Sequence, residues 1–315
     1  MAIDEVVLAK PRGFCAGVDR AIEIVEKALE LFDKPVYVRK EIVHNRHVVS
    51  ALQEKGAVFV DELDEVPGGA TLIFSAHGVA PSVWRDAEAK ALRIIDATCP
   101  LVTKVHLEVL RYAKRDYTIV LIGHEDHDEV IGTWGEAPNH IQVISTVEDI
   151  EKLDVPDPSK IVCLTQTTLS MDDTADVIDG LRRAYPHMVT PSKNDICYAT
   201  QNRQQAVKAM TEMVDLVLVL GASNSSNSNR LREVAEVAGV RAYLINQVSD
   251  ITPEMVANVK RVGITAGAST PEFLVQEAIA YCQALGADTT RELTVVEENV
   301  KFLLPSELVQ ISQSV

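Results

Sequence analysis

Residues 92–127 read LRIIDATCPLVTKVHLEVLRYAKRDYTIVLIGHEDH, and this stretch decides the fold class. It opens with the β-branched run LRIIDAT and closes with the run TIVLIG, both of which predict strands. Between them, residues 101–114 carry apolar side chains at three- and four-residue spacing, which predicts an amphipathic helix. Short apolar strands that alternate with such helices are typical of parallel α/β architecture with right-handed crossovers.

The same alternation continues on both sides of this stretch. Helical periodicity recurs at residues 16–31, 172–185 and 201–214. Nine further strand-like runs are VVLAK, VYVRK, AVFVDE, ATLIFSA, IQVIS, KIVCLTQ, LVLVLGA, AYLIN and RVGITAG. The whole chain therefore reads as one α/β pattern.

A threefold repeat lies within this pattern. Three cysteines each precede a helical segment: Cys15, Cys99 and Cys197. Counting 29, 28 and 28 residues on from them reaches polar groups after the next strand, at His44, His127 and Ser225. After the third strand, 62, 68 and 72 residues on, the polar groups are His77, Thr167 and Ser269. The intervening pieces VFVDELDEV, VISTVEDI and LINQVSDI also match, so we predict three related units of about four strands each.

The repeat predicts three α/β domains and their bounds. These are residues 14–97, residues 98–193, and residues 1–13 together with 194–315. Ligands of open parallel sheets bind at the carboxyl ends of the strands, where all nine of these positions are predicted to lie. We therefore expect the three cysteines and six polar groups to converge. The alternative for any single cysteine is a small, inert core residue.

Three converging thiolates suit either zinc or an iron–sulfur cluster. Structural zinc sites normally use closely spaced pairs such as C-x-x-C, and the sequence has none. A four-iron cubane on three cysteines would keep one iron open for substrate chemistry. The remaining cysteines, Cys163 in KIVCLTQ and Cys282 in VQEAIAYCQAL, are interpreted as core residues.

Composition narrows the function classes. The 315 residues carry a net charge of −16, which disfavours a nucleic-acid surface because phosphate contacts come mainly from Lys and Arg. No apolar stretch reaches the ~18 residues of a membrane span, and the start of the chain lacks a secretion signal, so we expect a cytoplasmic protein without a membrane partner. Five scattered cysteines argue against a disulfide framework.

The polar groups that follow the strands are suited to bind an anion. Imidazole, hydroxyl and amide donors, helped by backbone N–H groups at helix starts, can cradle a phosphate or diphosphate. The predicted set is His44, His77, His127, Thr167, Ser225, Asn227 and Ser269. The alternative for the run GASNSSNSNR is a helix cap and turn.

Glu129, two residues after His127, is the carboxylate predicted to serve as a proton donor. Partial burial beside an anionic ligand would raise its pKa. The alternative is a solvated loop acid within the run HEDHDE. That run also permits a zinc hydrolase, although it lacks the spacing H-E-x-x-H.

Eight ordered segments then match one family. They are PRGFCAGVDRAI, VHNRHVV, FSAHGV, DATCPLVTKVH, TQTTLS, DICYATQNRQ, SSNSNRL and TAGAS. From about residue 7 to residue 308 the chain closely resembles the 4-hydroxy-3-methylbut-2-enyl diphosphate reductase family, also called IspH or LytB. This family makes isoprenoid precursors at the end of the methylerythritol phosphate pathway.

The resemblance implies a fold, a cofactor and a reaction. The fold is a trefoil of three α/β domains around a central [4Fe–4S] cluster on Cys15, Cys99 and Cys197. The implied electron donor is ferredoxin or flavodoxin, and the products are isopentenyl and dimethylallyl diphosphate. The implied catalytic residues are Glu129 as proton donor, Thr167, which orients the substrate hydroxyl, and His127. The implied diphosphate pocket comprises His44, His77, His127, Ser225, Ser226, Asn227 and Ser269.

Two departures from the family pattern are visible. The family commonly has proline where this chain has Asp128, and we expect this extra carboxylate to raise the pKa of Glu129. The family segment GTMG reads GTWG here, at residues 132–135. Two rival functions remain open at this point: a metal-dependent phosphohydrolase and a non-enzymatic iron–sulfur sensor of a phosphorylated ligand.

Overall fold

The computed structural model describes residues 3–190 and 195–312. Its strands are β1 (Glu5–Lys10), β2 (Val36–Arg39), β3 (Ala57–Val60), β4 (Thr71–Phe74), β5 (Arg93–Asp96), β6 (Thr118–Ile122), β7 (Ile141–Ile144), β8 (Ile161–Thr165), β9 (Leu216–Leu220), β10 (Arg241–Ile245), β11 (Arg261–Ala266) and β12 (Thr289–Thr294). All eleven strand-like runs of the sequence lie on strands, and β12 is the strand that the sequence did not indicate.

The α-helices connect these strands. They are α1 (Ala16–Leu31), α2 (Arg46–Glu54), α3 (Pro81–Ala89), α4 (Pro100–Ala113), α5 (Asp128–Glu136), α6 (Met171–Ala184), α7 (Tyr198–Thr211), α8 (Ser226–Val237), α9 (Glu272–Ala284) and α10 (Ser306–Ser312). The predicted helix at 16–31 is confirmed residue for residue, whereas α7 begins three residues before its predicted start. Among the described residues, no helix combines the length and apolarity of a bilayer span.

The chain forms two compact units. The first comprises the described parts of Met1–Val18, His44–Val48 and Tyr198–Lys301. The second comprises the described parts of Asp19–Val43, Val49–Cys197 and Phe302–Val315.

The first unit contains a five-stranded sheet in the order β10–β9–β11–β1–β12, with every neighbouring pair parallel. Every residue of β9, LVLVL, is buried, as expected of a central strand covered on both faces. The edge strand β12, TTRELT, is almost entirely exposed. Its polar sequence explains why it gave no apolar signal.

The second unit contains two further parallel sheets. Their strand orders are β3–β2–β4–β5 and β7–β6–β8. Strands β4 and β8 are buried along their whole length, as are four of the five residues of β6. The expected α/β fold with three parallel sheets is therefore confirmed, with four, three and five strands in chain order of the repeats.

The three matching sequence pieces form the same local structure. In each, an edge strand (β3, β7 or β10) leads into a short 3₁₀ helix whose N-cap residue and third helical residue are joined by a capping box. The cap pairs are Glu62 with Glu65, Thr146 with Asp149, and Gln247 with Asp250. Reciprocal capping satisfies two backbone N–H groups at once, which fixes the chain as it leaves the sheet.

Each sheet draws its strands from one of the three predicted domain ranges. Strands β2–β5 lie within 14–97, β6–β8 lie within 98–193, and β1 with β9–β12 lies within the third range. The boundary at 193/194 falls outside the described residues. The domain boundaries therefore stay a prediction.

Candidate active site

The backbone of each predicted cluster cysteine is anchored in the same way. Its N–H donates to a carbonyl just beyond the last residue of a buried strand. The bonds are Cys15 N to Ala268 O (3.3 Å), Cys99 N to Ala76 O (3.0 Å) and Cys197 N to Thr167 O (2.9 Å). Ala268 and Ala76 directly precede Ser269 and His77, so each cysteine is tied to a segment that carries a predicted polar group.

All three of these thiols are half-buried, and none of them forms a disulfide. Burial raises the pKa of the Cys15 thiol, while the Arg203 guanidinium and the N–H groups of Val18 and Gly17 act in the opposite direction. Thiols at helix N-termini near a cation are suited to act as thiolate ligands.

The other two cysteines differ. Cys163 and Cys282 are buried, and burial raises their pKa to about 12 and about 11. Thiols that stay protonated in an apolar environment are inert. Their interpretation as core residues is confirmed.

In the first unit, polar groups gather beyond β9 and β11. The Ser269 hydroxyl donates to the carbonyl of His44 at 2.9 Å, and the Asn224 amide lies 3.4 Å from His44 Nδ1. The Asn227 Oδ1 accepts from the N–H of Ala268 at 2.9 Å. The first unit therefore brings together four of the predicted residues: His44, Ser225, Asn227 and Ser269.

Ser225 also serves as a helix cap. Its Oγ accepts from the N–H of Ser228 at 3.3 Å and thereby caps α8, whose first residue is Ser226. The structural interpretation of the GASNSSNSNR run is thus correct. Capping does not exclude binding, because a helix N-terminus still presents N–H groups to an anion.

In the second unit, His77 and His127 lie side by side. Their ring centroids are 5.7 Å apart in an edge-to-face arrangement. The Nδ1 of His127 accepts from the N–H of Glu129 at 3.1 Å and caps α5. Neutral His127 therefore carries its proton on Nε2, which makes this nitrogen a hydrogen-bond donor.

Glu129 and Thr167 form the most distinctive pair of the second unit. Glu129 is 3% and Thr167 is 4% exposed. The Thr167 N–H donates to Glu129 Oε1 at 2.6 Å, and its hydroxyl donates to Oε2 at 2.8 Å. Burial raises the pKa of Glu129 to about 6, although the two Thr167 hydrogen bonds oppose this shift. The alternative of a solvated loop acid is wrong for Glu129, whereas it holds for the exposed Glu125 and Asp126.

A carboxylate that the sequence did not indicate also acts on Glu129. Burial is the main cause that raises the pKa of Glu129, and Asp195 adds to it. The expected influence of Asp128 stays a prediction. Asp195 is the buried first residue of the family-like segment DICYATQNRQ, and its Oδ2 accepts from the N–H of Thr165 at 3.2 Å. Sequence reasoning missed Asp195, since only the fold brings β8 and the chain before Cys197 together.

Two further groups of the second unit were also missed. The Lys104 ammonium lies 2.7 Å from Asp195 Oδ1, and burial together with Asp195 raises the pKa of Glu108 to about 7. The imidazole of His106 lies 2.8 Å from the carboxylate of Glu136. Lys104 and Glu108 stand one helical turn apart on α4, and this is the sequence signal that pairs them.

The fold and these groups define an α/β protein with three parallel sheets and polar side chains at the carboxyl ends of their strands. Residues 6–283 match the family model described as LytB protein. The chain belongs to this family, as its sequence motifs indicated.

Named relatives agree over nearly the full length. The chain is 55% identical over 307 residues to 4-hydroxy-3-methylbut-2-enyl diphosphate reductase of Actinobacillus succinogenes, covering 96% of this chain and 98% of the relative. A reductase of the same name from Psychromonas ingrahamii is 56% identical, with the same coverage.

Solved structures agree as well. The structure of E-1-hydroxy-2-methyl-but-2-enyl-4-diphosphate reductase from Plasmodium falciparum matches with a TM-score of 0.94 and 41% identity, over 100% of this chain and 99% of that one. A second reductase structure, described as the terminal enzyme of the non-mevalonate pathway, matches with a TM-score of 0.63 and 32% identity, over 90% of this chain and 100% of that one.

Proposed function

We propose that this chain reduces 4-hydroxy-3-methylbut-2-enyl diphosphate to isopentenyl and dimethylallyl diphosphate, the last step of the methylerythritol phosphate pathway. The allylic C–O bond breaks, two electrons and two protons are consumed, one water leaves and one proton ends on carbon. The observation that carries the proposal is the buried Glu129–Thr167 pair in a chain that belongs to the LytB family. It supplies a proton at a site from which bulk water is excluded.

Three residues would hold a [4Fe–4S] cluster: Cys15, Cys99 and Cys197. The donor set fits, because these three thiols are half-buried at helix starts whereas the other two cysteines are core residues. Bound there, the cluster supplies single electrons and an open Lewis-acidic iron for the substrate oxygen.

The proposed donors to the diphosphate are the residues that the family resemblance implies: His44, His77, His127, Ser225, Ser226, Asn227 and Ser269. Imidazole N–H, hydroxyl and amide groups can each donate to phosphate oxygens, and the N-termini of α5 and α8 add backbone N–H groups. These local donors offset the unfavourable field of a chain with net charge −16.

Glu129 and Thr167 perform the proton chemistry. With its pKa raised to about 6, Glu129 holds a proton closer to neutral pH than an exposed glutamate would. The Thr167 hydroxyl donates to Glu129 and leaves its own oxygen free to accept from the substrate hydroxyl. Glu129 then gives up its proton as water departs or as carbon is protonated.

The proposal includes the physiological setting predicted from the sequence. Ferredoxin or flavodoxin supplies the electrons, and the protein acts in the cytoplasm. The three domains with bounds 14–97, 98–193, and 1–13 with 194–315 complete it. Each range encloses the strands of one sheet, which supports these bounds.

One anaerobic experiment tests this function against its rivals. Purified protein is analysed for iron, sulfide and zinc, and is then assayed with dithionite, a viologen mediator and the allylic diphosphate. We expect about four irons and four sulfides per chain, together with both isopentenyl products. Zinc without sulfide and release of phosphate would establish the phosphohydrolase instead. A cluster that binds the diphosphate without turnover would establish the sensor.

A further inference from the structure

Each cluster cysteine is followed by a cation on the next helix. Arg20 lies five residues after Cys15, and Lys104 lies five residues after Cys99. Arg203 lies six residues after Cys197. The cations therefore lie in the second turn of the helix that follows each cysteine, at the same position in two of the repeats and one residue later in the third.

Arg20 holds the chain just before Cys99. Its Nη1 donates to the carbonyls of Ala97 at 3.3 Å and Thr98 at 3.0 Å, the two residues that precede this cysteine. Its Nε donates to the carbonyl of Leu303 at 2.8 Å. Both edges of the guanidinium are thus engaged, which fixes its plane.

Arg203 holds the chain just before Cys15 in a corresponding way. Its Nη2 donates to the carbonyls of Gly13 at 2.8 Å and Phe14 at 3.2 Å, again the two preceding residues. The side chain is 0% exposed, and Glu298 lies 3.1 Å from Nη1. Since an arginine is almost never fully buried unless paired, its burial beside this loop indicates a specific role.

Lys104 reaches the chain before Cys197 through a side chain. Its Nζ lies 2.7 Å from Oδ1 of Asp195, two residues before this cysteine. The other oxygen of Asp195 accepts from the N–H of Thr165, so Asp195 links the Lys104 ammonium to the end of β8.

The three contacts follow one cyclic rule along the sequence. The cation that follows one cysteine contacts the segment before the next cysteine. Arg20, after Cys15, contacts the segment before Cys99, and Lys104, after Cys99, contacts the segment before Cys197. Arg203, after Cys197, contacts the segment before Cys15. Each loop is held from its other side by the N–H bond of its cysteine to a strand-end carbonyl. Each loop is therefore held on two sides, through backbone carbonyls before Cys15 and Cys99 and through the Asp195 side chain before Cys197.

We propose that Arg20, Lys104 and Arg203 are positioning residues that fix the three cysteine loops and place positive charge beside their thiolates. This inference rests on the proposed function. A [4Fe–4S] cluster on three thiolates gains negative charge on reduction, so nearby cations favour its reduced form. Arg203 has the geometry for this role at Cys15, because its fully buried guanidinium donates to the carbonyls of the two residues that directly precede this cysteine.

The test compares R20M, K104M and R203M with R203K and a matched control. R12M is the control, because Arg12 is also largely buried but directs its guanidinium to Ala9, Glu272 and Glu292. Iron and sulfide content and the midpoint potential are measured after anaerobic reconstitution. Hydrogen exchange of the amides of Cys15, Cys99 and Cys197 is measured in the cluster-free proteins.

We expect R20M and K104M to lower the equilibrium constant for one-electron reduction about tenfold, equal to about 59 mV towards more negative potential. Exchange at Cys99 in R20M, and at Cys197 in K104M, should accelerate about tenfold or more. R12M should match the wild type in both readouts. R203K should keep the potential, because the charge remains, but should exchange faster at Cys15, because an ammonium cannot replace the guanidinium fork.

Wild-type potential and exchange in R20M and K104M would overturn the proposal. It would also be overturned if R12M changed as much as they do, because the effect would then reflect general destabilisation. If R203M does not fold, the proposal is tested with R203K, R20M and K104M. If the wild type binds no iron and sulfide, the proposed function fails, whereas unchanged exchange in the cluster-free variants overturns the positioning role alone.

Discussion

Asn227 in the first unit and Glu129 in the second occupy the same position of the repeat. Each lies two residues after a capping side chain, Ser225 or His127. Asn227 Oδ1 accepts a hydrogen bond from the N–H of Ala268 at 2.9 Å, and Glu129 Oε1 accepts one from the N–H of Thr167 at 2.6 Å. The carbonyls of Ala268 and Thr167 in turn accept the N–H groups of Cys15 and Cys197.

The difference between these regions is chemical rather than architectural. An amide and a carboxylate have nearly the same shape, so both can support the strand-end loop by accepting one backbone hydrogen bond. Only the carboxylate can carry and release a proton. One scaffold therefore presents an amide in the first unit and a titratable carboxylate in the second, to which the proposed function assigns anion binding and proton supply.

The largest effect is expected when the second region is made like the first. E129Q keeps the acceptor for the Thr167 N–H but removes the proton. We expect turnover to fall at least about 100-fold, with cluster content and diphosphate binding unchanged. Anaerobic kinetics with iron analysis measure this, and E125Q, in the exposed part of the same run, is the matched control. Normal turnover in E129Q would end the assignment of Glu129 as proton donor.

The second effect concerns pH and stability. The pKa of Glu129 rises from 4.5 to about 6 on folding, so the native state binds the proton more tightly than the unfolded state does. The resulting stabilisation is fully present below pH 4.5 and is lost as pH rises through about 6. Between these two pH values, the free energy of unfolding of the wild type should fall by about 2 kcal/mol relative to that of E129Q, which is a change of roughly 30-fold in the unfolding equilibrium constant.

Urea unfolding of the two cluster-free proteins between pH 4.5 and 7 measures this difference. Subtracting the E129Q curve from the wild-type curve removes the contribution of other groups, such as Glu108, whose pKa is also raised. A difference that does not change with pH would show that Glu129 titrates as an ordinary exposed glutamate.

The converse change, N227D, makes the first region like the second. It keeps the acceptor for Ala268 but loses the amide donor and adds a negative charge. We expect KM for the diphosphate to rise about tenfold, because about 1.4 kcal/mol of binding is lost, while kcat changes less than twofold. Combining it with E129Q should not restore turnover. Recovery in that double variant would mean that either position can supply the proton.

The smallest effect is expected for T167V. It removes the hydroxyl that donates to Glu129 but keeps the backbone N–H bond, so the carboxylate stays in place. We expect kcat to fall about fivefold, the equivalent of ~1 kcal/mol for one hydrogen bond. The pKa of Glu129 should rise further, because a hydrogen bond to its charged form is lost. T168V at the neighbouring threonine is the control, and an equal fall there would contradict a specific role for Thr167.

Much of the scaffold could be predicted, and particular residues show why. The apolar runs LVLVL and TIVLIG correctly predicted β9 and β6, because burial on both faces requires a continuous apolar sequence. The polar run TTRELT did not predict β12, because this exposed edge strand is held by backbone pairing with β1 and needs no apolar side chains. The apolar pattern reports the environment of side chains and not hydrogen bonds of the main chain.

The candidate site was predictable in its residues but not in its electrostatics. The spacing of the cysteines and of the polar groups after them identified Glu129 as a candidate. Whether it was a buried acid or a solvated one depended on Thr167, 38 positions away in sequence. The same limit explains why the sequence did not indicate the influence of Asp195 on the pKa of Glu129.

Among the described residues, the sequence by itself determined eleven of the twelve strands, the four helices α1, α4, α6 and α7, the repeat, and the separation of the cysteines into three at helix starts and two in the core, because local burial leaves a periodic trace in residue type. The tertiary structure decided which carboxylates have a raised pKa and which cations hold the cysteine loops. Those properties depend on distances between groups far apart in the chain, and Coulomb and desolvation energies follow distance and burial rather than sequence order.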